Sequence, residues 1–174
     1  MGSKVEDYSI PGATRLVFSC EHVIQAPMEL VFDIATDLPT RLKWMEGAKE
    51  VELLNHQLNR VGTKHRCLVD KTSPVMVTSD RSRGDDTITF TETDEKRTMC
   101  SVYTLLQEGP EQTRVRVDGF LKDNPVLRVV FALLLKKKLT NWFQANGANL
   151  KQLCEALHQE QRKGGPGNVA ASRP

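Results

Sequence analysis

Residues 124–157 read NPVLRVVFALLLKKKLTNWFQANGANLKQLCEAL. Asn124 suits a helix N-cap, because its short side chain can accept from the first free backbone N–H groups. Pro125 suits the first turn, where its missing N–H is not needed. Leu127, Phe131, Leu134, Leu135, Leu139, Trp142, Phe143, Leu150, Leu153, Cys154 and Leu157 then recur at helical spacing. The pattern predicts one amphipathic helix about 50 Å long at 1.5 Å per residue. Asn146-Gly147 falls in its middle and marks a place for a bend, since glycine weakens a helix interior by about 1 kcal/mol. The half from Val126 to Leu135 is apolar around most of its circumference. Such a half-helix must be covered on several sides or line a ligand site.

Working back from that helix, the chain reads as strands. Stretches 50–55, 62–69, 75–83, 87–93, 99–107 and 113–121 are separated by turn signals such as Ser73-Pro74, Gly84-Asp85-Asp86 and Gly109-Pro110. Thr87, Thr89, Thr91 and Thr93 form a polar stripe, with Ile88, Phe90 and Glu92 on the opposite face. That alternation describes a strand with one wet side. At Tyr103 the parity is ambiguous, because Cys100, Val102 and Leu106 compete for the inner face. The first strand, 14–25, puts Leu16, Phe18, Cys20, His22 and Ile24 on one face. Pro27 then opens a short helix, and Asp37 with Pro39 opens a second one running to Trp44-Met45.

The order is strand, two short helices, six strands, long helix. Consecutive strands joined by short turns pair antiparallel, and one amphipathic helix must cover the apolar face of the resulting sheet. The expected fold class is therefore α+β. About seven antiparallel strands form a curved sheet wrapped around the long C-terminal helix, with two short helices after the first strand. Residues 14–162 form the domain. Residues 1–13 read as a flexible leader and 163–174 as a disordered tail, since neither carries enough apolar surface to offset its ordering entropy.

Composition narrows the function classes. The chain has 174 residues, 39% hydrophobic and 26% charged, with a formal net charge of +2. That balance lacks the basic footprint of a nucleic-acid binder. The four cysteines, Cys20, Cys67, Cys100 and Cys154, have no metal-ligand spacing, and a reducing cytoplasm fits them. No metal or other cofactor is called for. The apolar run 126–135 is about half the length needed to span a bilayer. Lys136-Lys137-Lys138 beside it allows at most a transient contact with an anionic membrane.

The opening Ile24-Gln25-Ala26-Pro27-Met28-Glu29-Leu30-Val31-Phe32, then Asp37 and Trp44, then Asn59-Arg60-Val61-Gly62-Thr63, resembles the START-like helix-grip superfamily. That superfamily includes the birch-pollen-allergen type and the polyketide cyclase/dehydrase and lipid-transport families. The resemblance spans about 14–160. It implies a cavity between the concave face of the sheet and the first half of the C-terminal helix.

For that cavity the expected ligand-binding residues are Phe18, His22, Trp44, His65, Phe90, Glu92, Tyr103, Val117, Val130, Phe131 and Leu134. The apolar members supply contact area, and the histidines orient a polar group. His65 and Cys67 share a strand face and could be a ligand pair or a nucleophile with its base, although a satisfied core pair is the commoner outcome. His22 is an acid/base candidate or a hydrogen-bonded wall residue. Glu92 on an inner face is a desolvated carboxylate, or sits at an open rim. The function expected is binding or transport of a hydrophobic small molecule such as a lipid, polyketide or quinone. The alternative is a cyclase or dehydratase using His22, His65, Glu92 or Tyr103 as acid-base groups. Convergence of titratable groups in the pocket discriminates the two.

Overall fold

The structure is a computed structural model that describes residues 14–55 and 60–163. The leader, the tail beyond Lys163, His56 and part of the turn before Arg60 lie outside the described residues. Seven strands, β1 (Thr14–Ile24), β2 (Glu50–Leu53), β3 (Lys64–Leu68), β4 (Met76–Arg83), β5 (Thr87–Asp94), β6 (Met99–Gly109) and β7 (Gln112–Lys122), form one sheet. Its order is β1-β7-β6-β5-β4-β3-β2, and every pairing is antiparallel. Helices α1 (Met28–Thr36) and α2 (Arg41–Trp44) follow β1. The chain closes with α3 (Pro125–Val130), a π-helical turn (Phe131–Leu135) and α4 (Lys136–Lys163). This is the helix-grip α+β arrangement expected from the order of elements.

The local signals act as their chemistry requires. The Asn124 side chain accepts from the N–H groups of Val126 and Leu127 at 2.9 and 3.2 Å. Asp37 accepts from the Thr40 N–H at 3.1 Å, which starts the turn leading into α2. The inner sheet face buries Phe18, Cys20, Ile24, Ile88, Phe90, Tyr103, Leu105, Val115 and Val117 against α1 and α4. Arg116 is exposed and Arg114 half-buried on the outer face.

Several details depart from simple alternation. A register shift between Leu16 and Phe18 turns Leu16 out to 48% exposure, so it leaves the face it was expected to share with Phe18. On β6, Ser101, Tyr103 and Leu105 point inward while Leu106 is exposed, which resolves the parity of Tyr103. The helix runs on through Gly147 as regular α4, and the irregular turn lies earlier, at Phe131–Leu135. Gly147 serves close packing. A Cβ there would come within 2.2 Å of the His22 ring. Gly119 does the same across the sheet, where a Cβ would meet the Phe18 ring at 2.0 Å. Phe18 in turn stacks on Phe143 of α4 with ring centroids 4.5 Å apart.

Candidate functional site: a cavity with a buried charge cluster

Between the sheet and the start of α4 lies a cavity of about 250 Å³. Met45, Val69, Met76, Met99, Leu139, Trp142 and Phe143 give it apolar walls, and Arg41, His65, Glu92, Ser101 and Tyr103 give it a polar region. It shares Thr72, Ser73, Pro74, Met99 and Leu139 with an adjoining recess of about 540 Å³. Leu127, Val130, Phe131 and Leu135 border that recess.

The polar region is an ion-pair cluster drawn from three elements. Helix α2 delivers Arg41, β3 delivers His65 and β5 delivers Glu92. All three side chains are buried, with His65 at 0% exposure. Arg41 Nη1 donates to Glu92 Oε2 at 3.1 Å, and Nη2 donates to Oε1. Nη1 also lies 3.0 Å from His65 Nε2. The fork of the guanidinium thus spans both carboxylate oxygens, a geometry lysine cannot reproduce. Burial by itself would raise the Glu92 pKa. The charge of Arg41 and its hydrogen bonds, joined by His65 only when that ring is protonated, outweigh it and hold Glu92 below its ordinary range. Burial also pushes His65 down to about 4, against the pull of Glu92 and with the help of Arg41. Tyr103 is driven above its ordinary range, by burial first and then by Glu92, and stays protonated.

The expected site residues are distributed as follows. His65, Glu92 and Tyr103 come together on the 250 Å³ cavity. Glu92 is 5% exposed, so it is a buried partner of a cation and not a rim carboxylate. Val130 and Phe131 border the outer recess. His22, Trp44 and Val117 line a small void of about 20 Å³, together with Tyr103 and Gly147. The His22 pKa is lowered by burial, with Gln144 as an opposing hydrogen-bond partner. Phe90 stacks on Tyr103 at 4.4 Å and borders a different 20 Å³ void. Phe18 is packed against Phe143 and Gly119. Leu134 is 71% exposed and borders none of these spaces. The wall that α4 supplies is Leu139, Trp142 and Phe143, one to two turns later than the apolar run suggested.

Arg41 was not among the candidates. Its signal was indirect, since a carboxylate on the inward face of β5 requires a buried cation. Trp44 three residues on shows which face of α2 points inward, but which basic residue reaches Glu92 is decided by a contact 51 positions away in sequence. Cys67 joins the same wall, and the described residues contain no group of three or more potential metal ligands.

A curved sheet gripping a long C-terminal helix defines a protein of the helix-grip fold. The chain belongs to the family described as polyketide cyclase / dehydrase and lipid transport, which matches residues 15–155. No curated protein matches it. Solved structures share the fold at low identity. The hypothetical protein jhp0584 from Helicobacter pylori is 13% identical, with a TM-score of 0.66 over 83% of this chain and 91% of its own. The KanY protein is 16% identical, with a TM-score of 0.64 over 83% and 99%. A norcoclaurine synthase point mutant from Thalictrum flavum, in complex with a transition-state analogue, is 10% identical, with a TM-score of 0.57 over 83% and 96%.

Proposed function

We propose that this protein binds and carries a hydrophobic small molecule in the cavity beneath α4. The observation that carries the reading is a space of about 250 Å³ with mostly apolar walls, beside a charge cluster that is already internally compensated. Apolar cavities of about 150 Å³ take up benzene, so this volume suits a larger ring system or the end of an acyl chain. Burying ~300 Å² of apolar ligand surface at about 25 cal/mol per Å² yields several kcal/mol before entropy costs. That magnitude fits micromolar binding.

The protonation states favour a carrier over a cyclase or dehydratase. Both Glu92 oxygens and His65 Nε2 are hydrogen-bonded to Arg41, which makes each a weaker base towards a substrate proton. Tyr103 holds its proton. Titratable groups converge in the pocket, but they are spent on one another. The proposed compartment is the cytoplasm, in keeping with four cysteines that are all free. Any membrane contact would be transient. It would use the exposed Val126, Val129, Leu133 and Leu134 with Lys136, Lys137 and Lys138 beside them.

The test is titration of a fluorescent naphthalene probe into the full chain. Saturable micromolar binding is expected in wild type. Leu139→Lys places an unpaired charge in the wall and is expected to abolish it. Leu134→Lys, on the exposed face, is expected to bind normally. An absence of binding in wild type sinks the reading.

A further inference from the structure

We infer that Phe143 sets how deep a ligand can enter: its ring is the floor of the 250 Å³ cavity and bars the 20 Å³ void behind it. The inference rests on the cavity-binding reading above and adds the residue that limits ligand length.

Every fourth residue from Leu135 to Gly147 borders the next space along the helix. Leu135 borders the outer recess, Leu139 the recess and the cavity, Phe143 the cavity and the void, and Gly147 the void. Residues four apart lie on one helix face, about 6 Å apart along the axis. The three spaces therefore follow one another beneath a single stripe, from the recess inward. Among the described residues only Phe143 and Tyr103 border both the cavity and the void, so these two rings separate them.

Tyr103 is part of the sheet. It is paired with Phe90 of β5 and Val117 of β7, and its ring stacks on Phe90 with the planes 5° apart. Phe143 reaches across from α4 and is held on two sides. It stacks on Phe18, whose ring lies so close to Gly119 that a Cβ there would meet it at 2.0 Å. Phe18 therefore has no room to retreat towards β7. Trp142 meets Phe143 edge to face, with centroids 5.1 Å apart, and is anchored by its donation to the Glu46 carbonyl. Moving the Phe143 ring aside would forfeit both ring contacts, in a core without slack to take it up. The void beyond, at about 20 Å³, has room for one water and for no organic ligand. Val115, Val117 and Leu150 give that void apolar lining, so an alkyl chain is kept out by the ring and not by polarity.

The test is methyl NOE spectroscopy of the full chain with 2-propylnaphthalene as the probe. Methyl groups of Met45, Met76 and Met99 report the cavity, and those of Val117 and Leu150 report the void. In wild type the probe is expected to contact the methionine methyls and the Phe143 ring, and neither void reporter. Phe143→Leu removes the ring while keeping an apolar side chain, and is expected to bring Val117 and Leu150 into contact. Its preference for 2-hexylnaphthalene over 2-methylnaphthalene is expected to exceed that of wild type about tenfold. That factor is equivalent to about 1.4 kcal/mol, which burying about two more CH2 groups supplies. Val115→Ala widens the void but leaves both rings in place, and is expected to keep the wild-type contacts. Contact with Val117 or Leu150 in wild type overturns the inference, leaves cavity binding standing and depends on no variant folding. Unchanged contacts in a folded Phe143→Leu also overturn it, as does opening of the void by Val115→Ala alone. Failure of the probe to bind wild type removes the cavity reading and this inference together.

Discussion

Val126–Leu135 is the more apolar half of the C-terminal helix, yet Phe131 is its one buried residue, and Val126, Leu133 and Leu134 are each more than two-thirds exposed. The later half is rich in Lys, Asn and Gln, yet it buries Phe143, Asn146, Leu150 and Cys154. Apolar composition did not decide which half packs. The later half wins because its shape and polar groups fit what lies opposite. Gly147 lets the backbone approach His22, and Asn146 Oδ1 accepts from the Glu46 N–H at 2.7 Å. Trp142 Nε1 donates to the Glu46 carbonyl at 2.9 Å, and Asn149 donates to the Trp44 carbonyl at 3.2 Å. Side-chain hydrogen bonds from α4 thus fasten the loop after α2, and the apolar stripe is closed over β1. The earlier half meets no such counterpart among the described residues.

This contrast can be broken by mutation. Leu150→Ala, at a position 3% exposed, is expected to cost 2–5 kcal/mol in denaturant unfolding through a lost transfer term and a cavity. A cost below 1 kcal/mol would mean that the later half is no better packed than the earlier one.

Acid extends the contrast to the cluster beneath α4. His65 has a folded pKa of about 4, below its unfolded value of 6.5. Its contribution is therefore complete above about pH 6.5 and is lost as the pH falls towards 4, on the order of 3 kcal/mol in all. Glu92, also held low, adds a further loss at pH values below its ordinary range. Stability measured from pH 7 to 4 is expected to fall in wild type and to stay flatter in His65→Asn, which lacks the titrating ring. Parallel curves would show that the ring is not held neutral.

A subtler probe of the same packing is Gly147→Ala. The added methyl overlaps the His22 ring, and overpacking of this kind costs about 1–3 kcal/mol even though alanine favours helix. A melting temperature equal to or above that of wild type would mean that α4 moves away freely.

The smallest effect is expected on the exposed half. Leu133→Ser with Leu134→Ser should change stability by less than about 0.5 kcal/mol each. Vesicle flotation then tests what the face does. Weak, salt-sensitive binding to anionic vesicles is expected, at about 1 kcal/mol per lysine near the surface. It should fall in the double serine variant and when Lys136, Lys137 and Lys138 are replaced by Gln. Salt-insensitive association, or a dimer dissolved by the serines, would assign the face to another partner.

Much of this was legible in local pattern. Asn124-Pro125, the threonine stripe opposite Ile88, Phe90 and Glu92, and the turn residues between strands located each element to within a few residues of its observed ends. Local rules suffice there, because caps, turns and alternation depend on neighbours within about four positions. Glu92 was legible as an inward carboxylate, and His65 as an inward imidazole. Leu16 was misplaced because one bulge shifts the register, and nothing in the alternation announces it.

By itself, then, the sequence determined the order of elements, the antiparallel meander, the long closing helix and the inward face of β5. Tertiary structure alone decided that Arg41 is the cation for Glu92, that Gly147 serves contact with His22, and that Leu139, Trp142 and Phe143 wall the cavity while Leu134 faces outward. The physical reason is the range of the interactions. Periodicity reports which residues share a face of one element. Charge pairing, close approach and cavity lining depend on which face of another element arrives opposite, and α2, β3, β5 and α4 meet only after the chain has closed on itself.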